Sequence, residues 1–482
     1  MSGMSRSVVS RAQHRASVLG AVLILWGCMQ TAFAADGGAV RMPPYERVQL
    51  PNGAVLLLME RHDVPLIAFQ AHVRGGAATD APGQAGVASL LAALLEKGAG
   101  ARNSLALAET IASVGGAIET GATRESLYVA GSFLARDQAL AVELLADLLQ
   151  RPKLEQSEFE PLRARHVEFI RAAKDSSLDS LTDVYGAAAV FGDHPYSRPV
   201  SGSEGSLARI SLADLKRSYQ DHVGADRLLV AVVGDFKTSQ MKQLLTRAFS
   251  GWRRAAAPLP AIAAPTKVSS RRVLLIDAPE AVQSYFWAGN IGVARSDPRR
   301  ASLDVANTLL GGRFTSLLNT ELRINSGLSY GANSHFERPG QPGFWEMSSF
   351  TQTETTIQAI DAALQVLDRF HRDGIDAALL ASGKSYVQGQ FPLALETSAQ
   401  WAYQLALLEL YKLDRSYIDG YSAALGGVTL DKARQTIAEA FPTSENLTLV
   451  VIGKAAAIRE GLRKYGPVSE MKLSDPTFAA PR

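Results

Sequence analysis

Apolar positions along residues 309–337, LLGGRFTSLLNTELRINSGLSYGANSHFE, change period midway. Leu310, Phe314, Leu317, Leu318 and Leu322 recur at three and four residues, which predicts one apolar face of a helix. Asn325-Ser326-Gly327 breaks the pattern, and Gly327 suits the left-handed residue that commonly ends a helix. Leu328, Tyr330, Ala332, Ser334 and Phe336 then alternate with other residues as in a strand. The pattern therefore predicts Arg323 in a last helical turn and Tyr330 early in a strand, held at fixed relative positions. A fixed cation beside a phenol can hold a peptide carbonyl, or the oxyanion formed when that carbonyl is attacked. The structural alternative is that Arg323 favours the helix C-terminus and Tyr330 is half-buried sheet surface.

The same reading along the chain predicts strands at 48–58 (with a Pro-Asn-Gly turn), 66–74, 119–133 and 227–236. Helices are expected at 85–96, 104–114, 136–150, 156–173 and 212–222. Residues 254–268, RAAAPLPAIAAPTKV, have no periodicity and read as an extended Ala/Pro linker. Beyond it the order restarts, with strand-like 272–292, helical 301–325, strands 327–336 and 343–351, helices 355–373, 377–390 and 396–413, and a last strand at 447–453. VAVVGD at 230–235 and LVVIGK at 449–454 place Gly234 and Gly453 in equivalent positions, 219 residues apart. The same offset lays the strand around Ile67 over the one around Phe286. The expectation is α+β, as two homologous α/β-sandwich halves from an internal duplication, residues 35–253 and 269–482, with a cleft between them.

Composition alters this picture little. At 482 residues the chain exceeds one ordinary core, and 47% hydrophobic with 20% charged residues describes a folded globular protein. Arg6, Arg11 and Arg15 precede the apolar run 18–26, and Ala32-Phe33-Ala34 offers a small-residue cleavage site, so residues 1–34 read as a secretory signal peptide. Removing them takes Lys+Arg from 49 to 46 against 47 Asp+Glu, a mature charge near −1 with no basic stripe for nucleic acid. The single cysteine, Cys28, lies within the leader. Leu25-Trp26-Gly27-Cys28 loosely matches a lipoprotein box, which makes a lipid anchor at Cys28 the minor alternative. No later apolar run is long enough to cross a membrane.

Several local sequences give the chain a family likeness. They are LPNG at 50–53, Pro82-Gly83-Gln84-Ala85-Gly86 before a helix, HPYSRPVSG at 194–202, VVGD at 232–235 and ELRINSGLSYGA at 321–332. With two repeats and a leader, the chain resembles the pitrilysin/insulysin and mitochondrial processing peptidase family of zinc peptidases. In that family an Arg and a Tyr with six residues between them, in the second half, assist the reaction; Arg323 and Tyr330 have that spacing. Gly311 and Gly312 resemble a family glycine-rich stretch near the peptide path. Gly75-Gly76, Gly115-Gly116 and Gly311-Gly312 all lack the context of a phosphate loop.

The family's H-x-x-E-H motif is absent. It would fall in GVASLLAALLEKG at 86–98, putting Ser89, Ala92 and Ala93 at the His, Glu and His positions, and Phe169 near the third-ligand position. The mature histidines, His62, His72, His166, His194, His222, His335 and His371, show no pair at ligand spacing. The expectation is no metal and no cofactor in this chain. What the resemblance implies is a non-catalytic, periplasmic subunit, not active alone, of a heterodimeric zinc metalloendopeptidase. A homologous H-x-x-E-H subunit would hold the zinc, while Arg323 and Tyr330 bind the peptide substrate and stabilise the transition state. The alternative from another class is a structural or peptide-binding scaffold of the same fold; an independent peptidase is the weakest reading.

Overall fold

A computed structural model describes residues 40–479. The signal peptide, Cys28 and the cleavage site lie outside the described residues. Residues 42–479 belong to one compact unit. It is built on two six-stranded sheets.

The first sheet contains β1 (Glu46–Gln49), β2 (Val55–Glu60), β3 (Leu66–Arg74), β4 (Ala117–Ala122), β5 (Ser126–Leu134) and β6 (Leu228–Gly234), in the order β1-β2-β6-β3-β5-β4. The second contains β7 (Arg272–Asp277), β8 (Gln283–Ile291), β9 (Ala332–Phe336), β10 (Phe344–Gln352), β11 (Thr448–Gly453) and β12 (Val468–Lys472), in the order β12-β7-β11-β8-β10-β9. From the second position inward the two orders are the same. In each sheet the second and third strands pair in parallel and the rest of that run is antiparallel. The edge differs, because β1 runs antiparallel to β2 whereas β12 runs parallel to β7. Gly234 and Gly453 both end a third-position strand, as the 219-residue offset requires. Residues 254–268 contain no helix or strand and are tied at both ends: Ala255 N donates to Asp226 Oδ1 (2.8 Å), and Val268 N donates to Asn290 Oδ1 (2.9 Å).

Strand alternation sends Ile67, Phe69, Ala71 and Val73 of β3 into a core with helices α1 (Val87–Leu95), α2 (Gln138–Gln150) and α3 (Gln156–Ser176). In the second sheet Phe286 and Ala288 of β8 face a core with α6 (Thr356–Asp373), whereas Trp287 faces the other way. Each sheet thus buries one face under helices of its own half.

The opposite faces are covered by exchange. Helix α4 (Leu178–Phe191), from the first half, packs on β8 and β11 of the second sheet, and α7 (Ser398–Leu410), from the second half, packs on β3 and β6 of the first. Helix α5 (Thr238–Phe249) closes the first half against β2. The contact of α4 is specific. Trp287 Nε1 donates to Asp183 Oδ1 (2.9 Å), and a methyl group at Gly186 would lie 2.5 Å from the buried indole. On the other side α7 covers His72, which is 2% exposed. Its Nδ1 bonds Ser126 Oγ (2.9 Å), and its Nε2 meets the Gln70 amide (3.1 Å).

Helix α4 and α5 are not among the elements expected from the sequence. The expected helix at 301–325 is broken: α-helix holds over Arg300–Asn307, wider turns follow over Thr308–Gly312, the chain extends at Arg313, and a single helical turn restarts at Leu317–Asn319. Its apolar face is correspondingly incomplete, since Leu310, Leu318 and Leu322 are buried but Phe314 is 61% exposed.

Two outcomes follow from this packing. Gly186→Ala gains about 1 kcal/mol of helix propensity but overpacks a rigid indole at a cost of about 1–3 kcal/mol. Net destabilisation is expected as a lower urea midpoint, and more with Gly186→Val, which lacks Ala's propensity. The second concerns pH. Burial, reinforced by the Arg74 charge, pushes the His72 pKa down to about 4 from 6.5. Below 6.5 the unfolded chain binds a proton that the native state refuses, so stability falls as pH drops from 6.5 toward 4, by up to about 3 kcal/mol. Asp80, raised to about 7 by burial, acts with the opposite sign, losing stability as pH rises through 7. Urea unfolding at pH 7 and 4.5 should show a larger loss in wild type than in His72→Gln, a comparison in which Asp80 cancels.

Candidate functional site

The broken segment after Asn307 borders a cavity of about 630 Å³ between the two sheets' elements. Its walls include Gly311, Gly312, Phe314, Arg323 and Gly331 from the second half, and Asp179, Thr182 and Asp183 from α4. The sequence forces the break locally. A methyl group at Gly311 would sit 2.3 Å from the Ser334 amide nitrogen, so only glycine lets this turn lie against β9. Asn307 locks the same contact: Nδ2 donates to the Ser334 carbonyl (2.8 Å), while Oδ1 accepts from Ser334 Oγ (3.0 Å) and Trp345 Nε1 (3.1 Å). Ser316 then caps the restarted turn by accepting from Asn319 N (3.3 Å).

Arg323 lies in a second widened turn, Thr320–Asn325, which closes through Ser326 N to the Glu321 carbonyl (3.1 Å). Gly327 takes the left-handed conformation at φ +63°, as the sequence predicts for the stop. The strand begins later than expected, at Ala332, so Tyr330 lies in the preceding loop. Ser329 Oγ, Ser349 Oγ and the Gly331 carbonyl hold that loop (2.8–3.0 Å), and spend on backbone the pairing a longer strand would have needed. Arg323 makes no hydrogen bond to the phenol among the described residues. Its Nη1 donates to the Tyr330 carbonyl (2.9 Å), and its guanidinium stacks on the Phe314 ring at 4.8 Å. The Tyr330 side chain is 77% exposed, and no hydrogen bond to its hydroxyl is present among the described residues. Gly311, Gly312 and Arg323 therefore share one cavity wall, with Tyr330 beside it at Gly331.

The segment aligned with the zinc motif is an ordinary core helix. In α1, Leu90, Leu91, Ala92, Leu94 and Leu95 are buried, and Ser89 and Ala93 are half-buried. Asp80 caps it, with Oδ2 accepting from Gly86 N (2.9 Å) and Oδ1 from Ala88 N (3.0 Å). Ser89 lines a second cavity of about 410 Å³ together with Arg124, Asp183 and His335. Phe169, at the third-ligand position, is 74% exposed, and Glu168 pairs with Arg171 at 2.6 Å. None of Ser89, Ala92, Ala93 and Phe169 offers the imidazole, thiolate or carboxylate that a zinc site uses.

One cluster lies outside every local motif. His335 of β9 sits directly across from Glu346 of β10, and its Nδ1 meets Glu346 Oε1 at 2.6 Å. Asp183 of α4 joins them, so that one ligand-capable atom from each of the three lies within 4.8 Å of the others. Burial raises the Glu346 pKa, against the lowering effect of the His335 bond. For His335, burial opposes protonation, but the Glu346 bond and the charges of Glu346, Asp183 and Glu337 outweigh it and raise its pKa. Asp183 opens onto the cavity yet is raised by desolvation. Sequence spacing could not find this cluster, because its members come from three separate segments. The one signal is the hairpin register, which sets His335 opposite Glu346.

Comparison with known proteins gives consistent results. The sequence model of the insulinase family, peptidase family M16, matches residues 60–204, and that of the peptidase M16 inactive domain matches residues 209–387. A Streptomyces coelicolor protein named "uncharacterized zinc protease" is 25% identical over 409 residues, covering 84% of this chain and 89% of the relative. A Helicobacter pylori protein named "non-peptidase homolog YmxG" is 24% identical over 342 residues, 70% of this chain and 78% of the relative. Among solved structures, a peptidase M16 inactive domain from Pseudomonas fluorescens shares the fold with a TM-score of 0.79 at 21% identity, over 85% of this chain and 98% of that one.

Proposed function

The chain belongs to the insulinase family of M16 peptidases, and from its missing zinc motif and its Arg323–Tyr330 pair we propose that it is the non-catalytic subunit of a periplasmic heterodimeric zinc peptidase. The observation that carries this reading is the state of that pair beside the inter-half cavity. Arg323 is held at the Tyr330 carbonyl and the Phe314 ring, and Tyr330 presents a phenol with no hydrogen bond to it among the described residues. Of the five guanidinium N–H donors, one is used by Tyr330. The others, with the phenol, can bind a peptide carbonyl or the oxyanion formed from it at the zinc of a homologous H-x-x-E-H partner. Phe314, Ile324 and Tyr330 are all large, apolar and exposed on this one segment, which supports contact with a peptide or a partner rather than with solvent alone. Gly311 and Gly312 would lie along the peptide path. The export signal supports a periplasmic location, and no helix of the described residues is long and apolar enough to cross a membrane.

The contacts of Arg323 also favour a second reading, a scaffold in which the arginine only fixes its own loop. Peptide hydrolysis by the H-x-x-E-H subunit, alone and mixed with this chain, separates the two. The shared-site reading expects a large gain from wild type, and a loss of about 10²–10³ in kcat, on the order of 2.7–4 kcal/mol, with Tyr330→Phe or Arg323→Ala. Equal gain from wild type and both variants, with unchanged folding, would sink the role of the pair. No gain from any mixture moves the scaffold reading ahead.

A further inference from the structure

A buried carboxylate oxygen with no partner requires an explanation. Glu346 is 1% exposed, its Oε1 meets His335, and its Oε2 is buried with no hydrogen-bond partner among the described residues. The residue lines the 630 Å³ cavity, as do His335 and Asp183. Asp183 uses Oδ1 to accept from Trp287 Nε1 at 2.9 Å. When both carboxylates are ionised, they leave an excess negative charge against the one imidazole even if the histidine is protonated. Arg124, whose charge also reaches Asp183, offsets it only in part, because it is itself paired with Glu337 at 2.7 Å.

We propose that Asp183, His335 and Glu346 form a binding site for a divalent transition-metal cation of the zinc class, built between the two halves and taking no ligand from the degenerate motif on α1, whose Ser89 borders a cavity shared with Asp183 and His335. The donor set is one imidazole nitrogen and two carboxylate oxygens, a type that zinc and its neighbours accept. Calcium and magnesium prefer all-oxygen sets, so the imidazole selects against them. Ligand atoms around a tetrahedral zinc lie about 3.3 Å apart for bonds near 2.0–2.1 Å. The present separations, within 4.8 Å, need small side-chain movements toward a common centre. Asp183 is open to the cavity and the His335 side chain is 43% exposed, so both have room to move, while Glu346 is fixed. Three protein ligands leave a position that water, or a donor atom entering the cavity, would fill. Arg323 and Gly311 line the same cavity, so the cation and the proposed peptide-binding edge would share one space.

The test uses the mature chain, stripped with chelator and titrated with Co²⁺ followed by absorption, and with Zn²⁺ followed by calorimetry. Wild type is expected to bind one equivalent of each and to show a raised Tm when loaded. Asp183→Asn retains an acceptor for Trp287 and leaves the His335–Glu346 bond in place, so it should fold normally yet bind at least tenfold more weakly. His335→Ala should abolish stoichiometric binding. Absence of stoichiometric binding by folded wild type, or equal affinity in wild type, Asp183→Asn and His335→Ala, overturns the proposal and leaves a buried His–Glu pair alone. Neither result touches the hydrolysis experiment, which reads the partner's zinc.

Discussion

The exchange of one helix between the halves is the constraint on which the rest of the structure depends. A sheet of Val, Ile, Leu and aromatic residues must cover both faces, and each half supplies helices for only one. The Trp287 indole, with Gly186 against its ring and Asp183 on its nitrogen, fixes where α4 lies on the second sheet. Helix α7 does the same service for the first sheet, over His72 and Gln70. Separating the halves would expose both inner faces together. The cavity between them is consequently a built feature of one folded unit, not a cleft held open by a hinge.

That arrangement explains how the zinc motif could be lost without loss of fold. Helix α1 is held by Leu90, Leu91, Leu94 and Leu95 and by the Asp80 cap, none of which a metal would provide. Small residues at Ser89, Ala92 and Ala93 pack or face a cavity without leaving a charge in need of a partner. The folding determinants and the ligand positions occupy different faces of the same helix, so one set can change while the other stays.

Much of this was legible in sequence because it is local. Leu66–Arg74 and Leu212–His222 emerge with the boundaries their periodicity predicts, and the recurrent glycine-ended strands point to two like halves. Helix α4 was not legible. Its sequence, LDSLTDVYGAAAVF, mixes β-branched and small residues and carries a glycine, features whose value appears only against Trp287. The helix break at Gly311 likewise depends on the approach of Ser334, a contact no period announces. Within the candidate site, Arg323 and Tyr330 were singled out because the six residues between them match the spacing of the family's Arg and Tyr. Asp183, His335 and Glu346 were not, since topology alone gathers them.

Under the proposed function, the two members of the Arg323–Tyr330 pair differ in a way that matters for transition-state binding. A donor accelerates a reaction when it is already oriented, so that no reorganisation accompanies charge development. Arg323 meets that condition, because the Tyr330 carbonyl and the Phe314 ring fix two sides of a planar guanidinium. The Tyr330 phenol does not, for no hydrogen bond among the described residues restrains it. Its orientation would have to come from what it touches, a substrate or a partner surface. On the proposed reading, a pair of this kind, with one donor pre-set by its own loop and the other completed on contact, would act only when a second surface closes over it.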